Sequence, residues 1–262
     1  MPDSYAAASA KIICIANQKG GVGKTTTAIN VCAALAEMGR RVLLIDLDPQ
    51  GNASTGLGAV PESRRQTTYD VLLGDTPLSR VVQATPIPNI DLAPATTDLS
   101  SADIELVSNG RRSFRLRNAL RASELAGHGY SHIFIDCPPS LNLLTVNAMV
   151  AAHSILVPLQ SEFFALEGLS QLMLSLREVR QSANTRLRIE GVVMTMFDIR
   201  NRLSQQVDED AREALGDLVF KTRIPRNVRI SEAPSYGQPV LSYDPHSKGA
   251  QAYRALAAEL LE

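Results

Sequence analysis

The chain has 262 residues, of which 45% are hydrophobic and 20% are charged, and its formal net charge at pH 7 is -1. This size and composition are typical of a globular protein with one large α/β domain. The balanced charge excludes nucleic-acid binding through overall charge, so any such binding must come from a local patch. No apolar run approaches the roughly 20 residues that a membrane-spanning helix needs.

Residues 1–10 are small and polar, which predicts a flexible N-terminal tail without the features of a signal peptide. Residues 11–262 show no break in composition and are predicted to form a single domain. Cys14, Cys32 and Cys137 lie in apolar stretches and form no C-x-x-C pair, which predicts reduced, buried thiols in a cytoplasmic protein.

The first motif is a strand, a glycine-rich loop and a helix in succession. Residues 12–16 form an apolar run, and the loop that follows ends in Gly-Lys-Thr-Thr-Thr before a helical pattern. Backbone N–H groups of such a loop surround a phosphate chain, and the helix dipole favours its charge. Lys24 is predicted to contact the β- and γ-phosphates, and Thr25 to bind Mg²⁺. The predicted nucleotide-binding residues of the loop are Lys19, Gly20, Gly21, Val22, Gly23, Lys24, Thr25 and Thr26.

The loop departs from the common phosphate-binding pattern at two positions. Gln18 replaces a glycine, and a second lysine, Lys19, lies inside the loop. The sequence K-G-G-V-G-K-T-T resembles the deviant Walker A motif of the ParA/MinD superfamily of P-loop ATPases. The resemblance implies that Lys19 reaches across a dimer interface to the partner's nucleotide, so that ATP joins two subunits face to face.

Two carboxylates follow the next apolar run, at residues 42–46. The segment reads D-L-D-P-Q-G-N, beginning at Asp46 and continuing through Asp48, and it lies where open α/β sheets place ligand chemistry. An aspartate at a strand end can also serve only as a turn residue or a helix cap, which is the alternative for either position taken alone. Beside a phosphate-binding loop, both are predicted to position magnesium and water. The resemblance implies that Asp48 prepares the attacking water and that Asp46 supports the metal through water.

The middle of the chain is less informative until residue 132. Residues 68–73 predict a short helix and residues 90–94 a strand. Residues 104–125 carry five arginines at helical spacing, a pattern that favours a solvated helix face over phosphate binding. The apolar run that ends at Asp136 then has the form of a Walker B strand, which predicts that this carboxylate holds the magnesium shell.

Strands and helices alternate through the second half of the chain, with strands predicted at residues 154–159, 191–197 and 219–224. No N-K-x-D sequence for guanine recognition occurs, which favours adenine. The segment that begins at residue 224, I-P-R-N-V-R, resembles one that packs over adenine in the family. That resemblance implies an adenine-side role for Pro225, Arg226 and Asn227, while the alternative is a loop bounded by prolines.

A basic cluster lies between Asp217 and Glu232, in a stretch that contains no acidic residue. The cluster is typical either of a solvated edge or of a surface that binds phosphate backbones without sequence preference. The resemblance implies the second, with DNA-binding side chains at Arg200 and Arg229, extended by Lys248.

These patterns together predict an α/β fold with a doubly wound, mostly parallel sheet and helices on both faces, the P-loop NTPase fold. The resemblance implies a slow, magnesium-dependent ATPase whose ATP-bound homodimer coats nucleoid DNA. A centromere-binding ParB-type partner would stimulate hydrolysis as chromosome or plasmid copies separate.

Two alternatives remain at this point. A MinD-like ATPase acts at membrane surfaces, but the last predicted helix, residues 250–261, lacks the basic face of a membrane-binding helix, so no stable membrane association is expected. A nitrogenase-iron-protein-like redox partner needs cysteines that bridge a cluster between subunits, and Cys137 has no second suitable cysteine near it in the sequence.

Overall fold

A computed structural model describes residues 10–74, 76–106, 110–122, 124–162 and 165–262. Apart from Ala10, the predicted N-terminal tail lies outside these residues. The assignment of residues 11–262 to one domain stays a prediction.

One eight-stranded sheet runs through the described part of the chain, in the order β3-β4-β2-β5-β1-β6-β7-β8. Every neighbouring pair is parallel except β3 and β4, which are antiparallel. The central strands are apolar and fully buried, as expected for a parallel sheet that is covered on both faces. The strands are β1 (Lys11–Ile15), β2 (Val42–Asp46), β3 (Gln83–Ala84), β4 (Ile90–Ala93), β5 (His132–Asp136), β6 (Ser154–Gln160), β7 (Arg188–Phe197) and β8 (Val219–Pro225).

The helices connect these strands and pack against the sheet. The α-helices of the described residues are α1 (Lys24–Glu37), α2 (Asn52–Gly56), α3 (Thr68–Leu72), α4 (Leu78–Val81), α5 (Ala102–Glu105), α6 (Arg115–Ala122), α7 (Leu143–Ala151), α8 (Ala165–Ser182), α9 (Arg202–Leu215), α10 (Val228–Glu232), α11 (Val240–Tyr243) and α12 (Lys248–Glu259). Short 3₁₀ helices lie at Pro61–Ser63, Thr97–Ser101, Arg112–Phe114, Glu124–His128, Gly216–Leu218 and Ala233–Tyr236.

Two hydrophobic clusters show that helices cover both faces of the sheet. One cluster includes Leu144 of α7 and Leu172 of α8, and the other includes Val31 of α1 with Tyr253 of α12. Burial of this apolar surface is the main favourable contribution to folding. The predicted doubly wound, mostly parallel architecture is therefore confirmed.

The predicted helix over residues 104–125 is wrong as a single element. In its place, α5 ends at Glu105 and α6 begins only at Arg115. The buried Asn147 of α7 explains the late start of α6. Its side-chain NH₂ donates to the carbonyl of Arg112 at 2.9 Å, and its Oδ1 accepts from the N–H of Leu116 at 3.2 Å. This amide fixes a 3₁₀ turn in front of α6, which hydrophobic periodicity does not reveal.

Strand register brings the acidic strand ends together. Asp136 of β5 is the register partner of both Ile15 of β1 and Asp46 of β2. These strands therefore end at the same level, and the loops that follow them meet at the carboxyl edge of the sheet, where α/β proteins bind ligands.

Candidate nucleotide-binding site

The glycine-rich loop between β1 and α1 ends at Gly23, the N-cap of α1. Gly23 has φ 88° and ψ 25°, a left-handed conformation that is unfavourable for residues with a Cβ atom. As a glycine it leaves the first N–H groups of the helix without a side-chain acceptor, so they are available to an anion. The loop is held to β7 because the Thr195 hydroxyl donates to the carbonyl of Val22 at 2.8 Å.

Lys24 is buried and points back into the loop. Its Nζ donates to the carbonyl oxygen of Lys19 at 2.9 Å, so the side chain closes the loop from residue 19 to residue 24. Burial lowers the pKa of Lys24, and the negative charges of Asp136 and Asp48 act in the opposite direction. The ammonium group therefore lies within electrostatic reach of the acidic strand ends.

Lys19 is half-buried and is paired within its own chain. Its Nζ forms an ion pair with Glu162, which follows β6 and also accepts a hydrogen bond from the side chain of Gln160. The backbone N–H of Lys19 donates to Asn17 Oδ1 at 3.1 Å. Sequence reasoning missed the contribution of Glu162, because it lies 143 positions from Lys19.

The carboxylate of Asp136 is fully buried at the end of β5. Within the described residues, neither of its oxygens has a hydrogen bond of ordinary geometry, although the Thr25 hydroxyl lies close enough to lower its pKa. Burial, followed by the charge of Asp46, raises the pKa of Asp136 well above its ordinary value. Because a buried, unpartnered carboxylate is costly unless something binds it, Asp136 and Thr25 fit a Mg²⁺ ion, which prefers one or two protein oxygens together with phosphate and water.

Asp46 and Asp48 are also buried, and protein groups bond both carboxylate oxygens of Asp46 and one of Asp48. Asp46 Oδ2 accepts from the N–H and the hydroxyl of Ser54 at 2.9 and 2.7 Å, and its Oδ1 accepts from the N–H of Asp48 at 3.1 Å. Burial raises the pKa of Asp46 to about 6, against the effect of the Ser54 hydrogen bonds. Asp48 Oδ1 accepts from the N–H of Gln50 at 2.9 Å. The occupied oxygens of Asp46 suit contact with a metal through water.

The structure brings together Lys24, Thr25 and all three predicted carboxylates at this edge. No group of three or more histidine, cysteine, aspartate or glutamate side chains in the described ranges has the geometry of a ready metal site. An ion held by phosphate, one hydroxyl and one carboxylate needs no such group. The assignment of Thr25, Asp46, Asp48 and Asp136 to the metal stays a prediction.

A cavity of about 340 Å³ lies beside the loop. It brings the predicted Pro225, Arg226 and Asn227 together with Gly23 and Thr26 of the loop. This is the size of a small-ligand pocket. Sequence reasoning missed other lining residues, including Thr195, Met196 and Tyr253.

The predicted DNA-binding residues lie on adjacent segments at the β7–β8 end of the sheet. Arg226 N–H donates to the carbonyl of Phe197 at 3.1 Å, which joins the loops after the two strands. Arg200, Arg229 and Lys248 are all exposed. Both arginines have acidic partners. Arg200 pairs with Asp198 at 2.9 Å, and Arg229 pairs with Glu232 at 2.9 Å and with the more distant Asp244 at 3.3 Å.

Two further observations concern the cysteines and the helices. Cys14, Cys32 and Cys137 are free thiols in the buried core, as predicted. Among the helices that the structure describes, none combines the length and the apolarity needed to cross a bilayer.

The strand, the glycine-rich loop, the buried Lys24 and the Walker B carboxylate define a P-loop nucleotide-binding protein. A family model described as "AAA domain" matches residues 10–189. The chromosome partitioning protein ParA of Caulobacter vibrioides is 58% identical over 251 residues, which cover 96% of this chain and 94% of that protein. The sporulation initiation inhibitor protein Soj of Bacillus subtilis is 52% identical over 250 residues, covering 95% of this chain and 98% of that protein.

Among solved structures, one described as cobyrinic acid a,c-diamide synthase from Mycobacterium smegmatis, with a bound ATP analogue and magnesium, has a TM-score of 0.83. It is 38% identical and covers 97% of this chain and 95% of that one. The chain belongs to the ParA/Soj family of chromosome partitioning ATPases.

Proposed function

We propose that this chain is a magnesium-dependent ATPase whose ATP-bound homodimer binds DNA without sequence preference and drives chromosome or plasmid segregation. The observation that carries the proposal is the buried Asp136 carboxylate, which has no hydrogen bond of ordinary geometry among the described residues and lies beside Thr25 and Lys24 of the P-loop. The relatives named as partitioning proteins support the cellular role. The localisation that follows is the cytoplasm, on the nucleoid, without stable membrane association.

The proposed reaction is in-line attack of water on the γ-phosphate of ATP. Mg²⁺, when bound through Thr25 and Asp136, supplies positive charge at the β- and γ-phosphates. Asp48 accepts a hydrogen bond from the attacking water and orients it. Lys24 exchanges the carbonyl of Lys19 for phosphate oxygens and neutralises charge that develops on them. Pro225, Arg226 and Asn227 enclose the adenine side of the nucleotide.

The proposed dimer completes the site because the partner subunit's Lys19 contacts the same phosphates. For this contact, Lys19 must leave Glu162 of its own chain. Turnover is slow in the isolated protein, and a centromere-binding ParB-type partner accelerates it. The two subunits therefore associate when ATP binds and stay together until it is hydrolysed.

The proposed DNA surface consists of Arg200, Arg229 and Lys248. Contacts of this kind to phosphates supply affinity that falls steeply with salt and carries no sequence information. The carboxylates of Asp198 and Glu232 compete with DNA phosphates for the two arginines, so the affinity of one subunit is low. Pairing two subunits doubles the number of contacts.

The test is binding to random-sequence duplex DNA with ATP, ADP or no nucleotide, across a salt series. Wild type should bind with ATP alone, and Arg200→Ala and Arg229→Ala should each weaken binding and reduce the salt dependence by about one charge per site. Arg188→Ala is the matched control, since Arg188 is exposed at the opposite, amino end of β7.

If Arg188→Ala weakens binding as much as the other two variants, the surface is misplaced. If no nucleotide state binds DNA, the segregation mechanism is wrong. Co-sedimentation with liposomes in the presence of ATP then tests the MinD-like alternative.

A further inference from the structure

Ser54 of α2 is fully buried and joins separate parts of the fold. Its hydroxyl donates to Asp46 Oδ2 at 2.7 Å, and its N–H donates to the same oxygen at 2.9 Å. The hydroxyl oxygen also accepts from the N–H of Ala95, which follows β4, at 3.1 Å. Since Ala95 is the donor in that bond, the single hydroxyl proton of Ser54 is left for Asp46.

Asp46 in turn holds Asp48, the residue proposed to orient water. Its second oxygen accepts from the N–H of Asp48 at 3.1 Å, and its backbone carbonyl accepts from the Thr68 hydroxyl at 2.9 Å. The carboxylate plane of Asp46 is therefore set by Ser54 on one side and sets the backbone of Asp48 on the other. Buried networks of this kind are rigid when every member is satisfied.

Arg64 holds α2, and with it Ser54, against the end of β4. Its guanidinium donates to the carbonyl of Ala95 at 3.1 Å, to the Thr55 hydroxyl at 2.7 Å and twice to the carbonyl of Ala59, at 3.1 and 2.7 Å. A planar guanidinium that makes several bonds in fixed directions orders the segment it binds. The position of Ser54 is thus fixed from outside the site as well.

We propose that Ser54 is a positioning residue for ATP hydrolysis: its hydroxyl orients the Asp46 carboxylate, which in turn fixes Asp48 in the geometry that orients water. The inference rests on the proposed function, because it concerns the hydrolytic role given there to Asp48. Ser54 itself touches neither phosphate nor metal in this arrangement. Its loss should therefore affect the chemical step and leave nucleotide binding in place.

The test compares Ser54→Ala, which removes the hydroxyl, with Ser54→Thr, which keeps it. Ser63→Ala is the matched control, because Ser63 is exposed and its hydroxyl donates to the nearby carbonyl of Val60. In Ser54→Ala, kcat should fall about tenfold while KM and the affinity for a fluorescent ATP analogue stay within about twofold. Ser54→Thr should restore most of kcat, and Ser63→Ala should match wild type.

A second readout is amide hydrogen exchange in the nucleotide-free protein. Exchange at the N–H of Asp48 should be about tenfold faster in Ser54→Ala than in wild type, because its acceptor, Asp46, loses the hydroxyl bond and keeps only the bond from the N–H of residue 54. Unchanged exchange in that variant overturns the inference, as does a fall in kcat accompanied by an equal loss of nucleotide affinity. If wild type hydrolyses no ATP, the proposed function fails, while the exchange result still decides whether Ser54 positions Asp48.

Discussion

Lys19 and Glu162 form an ion pair within one chain, although Lys19 is the residue proposed to act in a partner subunit. Both side chains are partly exposed, at 37% and 45%. An ion pair of this exposure contributes roughly 0.2–1 kcal/mol, so it biases the position of Lys19 without locking it.

Replacing Glu162 by glutamine should therefore favour the ATP-bound dimer. Removing the charge should lower the dimer dissociation constant by about two- to fivefold, which corresponds to the modest energy of such a pair. Analytical ultracentrifugation with a non-hydrolysable ATP analogue measures this constant. Glu167→Gln, at an exposed position in the first turn of α8, is the control and should leave it unchanged. Weaker dimerisation of Glu162→Gln would show instead that Glu162 serves the dimer.

Replacing Asp136 should have opposite effects on stability and on ligand binding, because its buried carboxylate has no ordinary hydrogen bond within the described ranges. Asp136→Asn should raise the free energy of unfolding of the metal-free protein by about 1 kcal/mol, because a neutral amide is less costly to bury. The same change should abolish the extra thermal stabilisation that Mg²⁺ adds to ATP. Thermal unfolding with ATP, with and without Mg²⁺, measures both effects. Asp98→Asn is the control, because Asp98 is exposed, and it should change neither quantity. A magnesium response that persists in Asp136→Asn would refute the assignment of Asp136 as a ligand.

Gly51 combines a left-handed conformation with a close contact. Its φ is 62°, and a Cβ at this position would collide with Arg64 Nη1 and would lie 3.0 Å from the carbonyl oxygen of Ala95. Gly51→Ala should therefore lower the free energy of unfolding by about 2–3 kcal/mol, the sum of backbone strain and a displaced Arg64.

Gly39→Ala separates the two contributions to the Gly51 effect. Gly39 has φ 75°, but no atom lies within 4 Å of the position that an alanine Cβ would take, so the loss there should be only about 1 kcal/mol. Urea denaturation measures both variants. Equal losses would mean that Arg64 moves aside without cost.

The ion pairs of Asp208 should make the fold less stable in acid. This α9 carboxylate is 6% exposed, and it accepts hydrogen bonds from Arg223 at 2.6 Å and Arg212 at 3.1 Å. Burial alone raises the pKa of Asp208, but the two arginines outweigh it, so the pKa lies below its ordinary value. A carboxyl group whose folded pKa is depressed stabilises the fold above its unfolded pKa, and that contribution disappears as pH falls through the folded pKa.

Asp208→Asn should therefore be less stable than wild type at pH 7 by about 1–2 kcal/mol, a value reduced because both arginines are partly exposed. The difference should shrink as pH falls below the ordinary aspartate pKa of about 4 and through the lower pKa of the folded state, because wild type then loses the same charge. Urea denaturation across this range tests the prediction. Glu209→Gln, which is exposed on the same helix, should show a constant difference from wild type. A difference for Asp208→Asn that does not change with pH would contradict the assigned charge interaction.

The sequence predicts the sheet well because each central strand is a short apolar run that ends at an acidic residue or a turn. The strand at residues 42–46 is predicted with its observed bounds and the next central strand with its observed end at Asp136, so the positions of Asp46 and Asp136 are predicted as well. The two-residue β3 is missed, since so short a strand carries no periodicity.

The contacts that complete the site are harder to predict because they join distant parts of the chain. Thr195 binds the loop from 173 positions away, and Glu162 binds Lys19 from 143. Ser54 lies only eight positions after Asp46, but serine at a helix start is equally typical of ordinary capping. Nothing in the local pattern distinguishes these roles, so only the folded arrangement reveals them.

The register that pairs Asp46 with Asp136 and Ile15 has a mechanical consequence. The acidic strand ends are held on both sides by the ladder of neighbouring parallel strands, whereas the loops that follow them are held by a small number of side-chain bonds, such as that from Thr195 to Val22. Any rearrangement during a catalytic cycle should therefore occur in those loops while the strand ends stay in place. Sequence changes in the loops can then alter the local conformation without moving the carboxylates of Asp46 and Asp136.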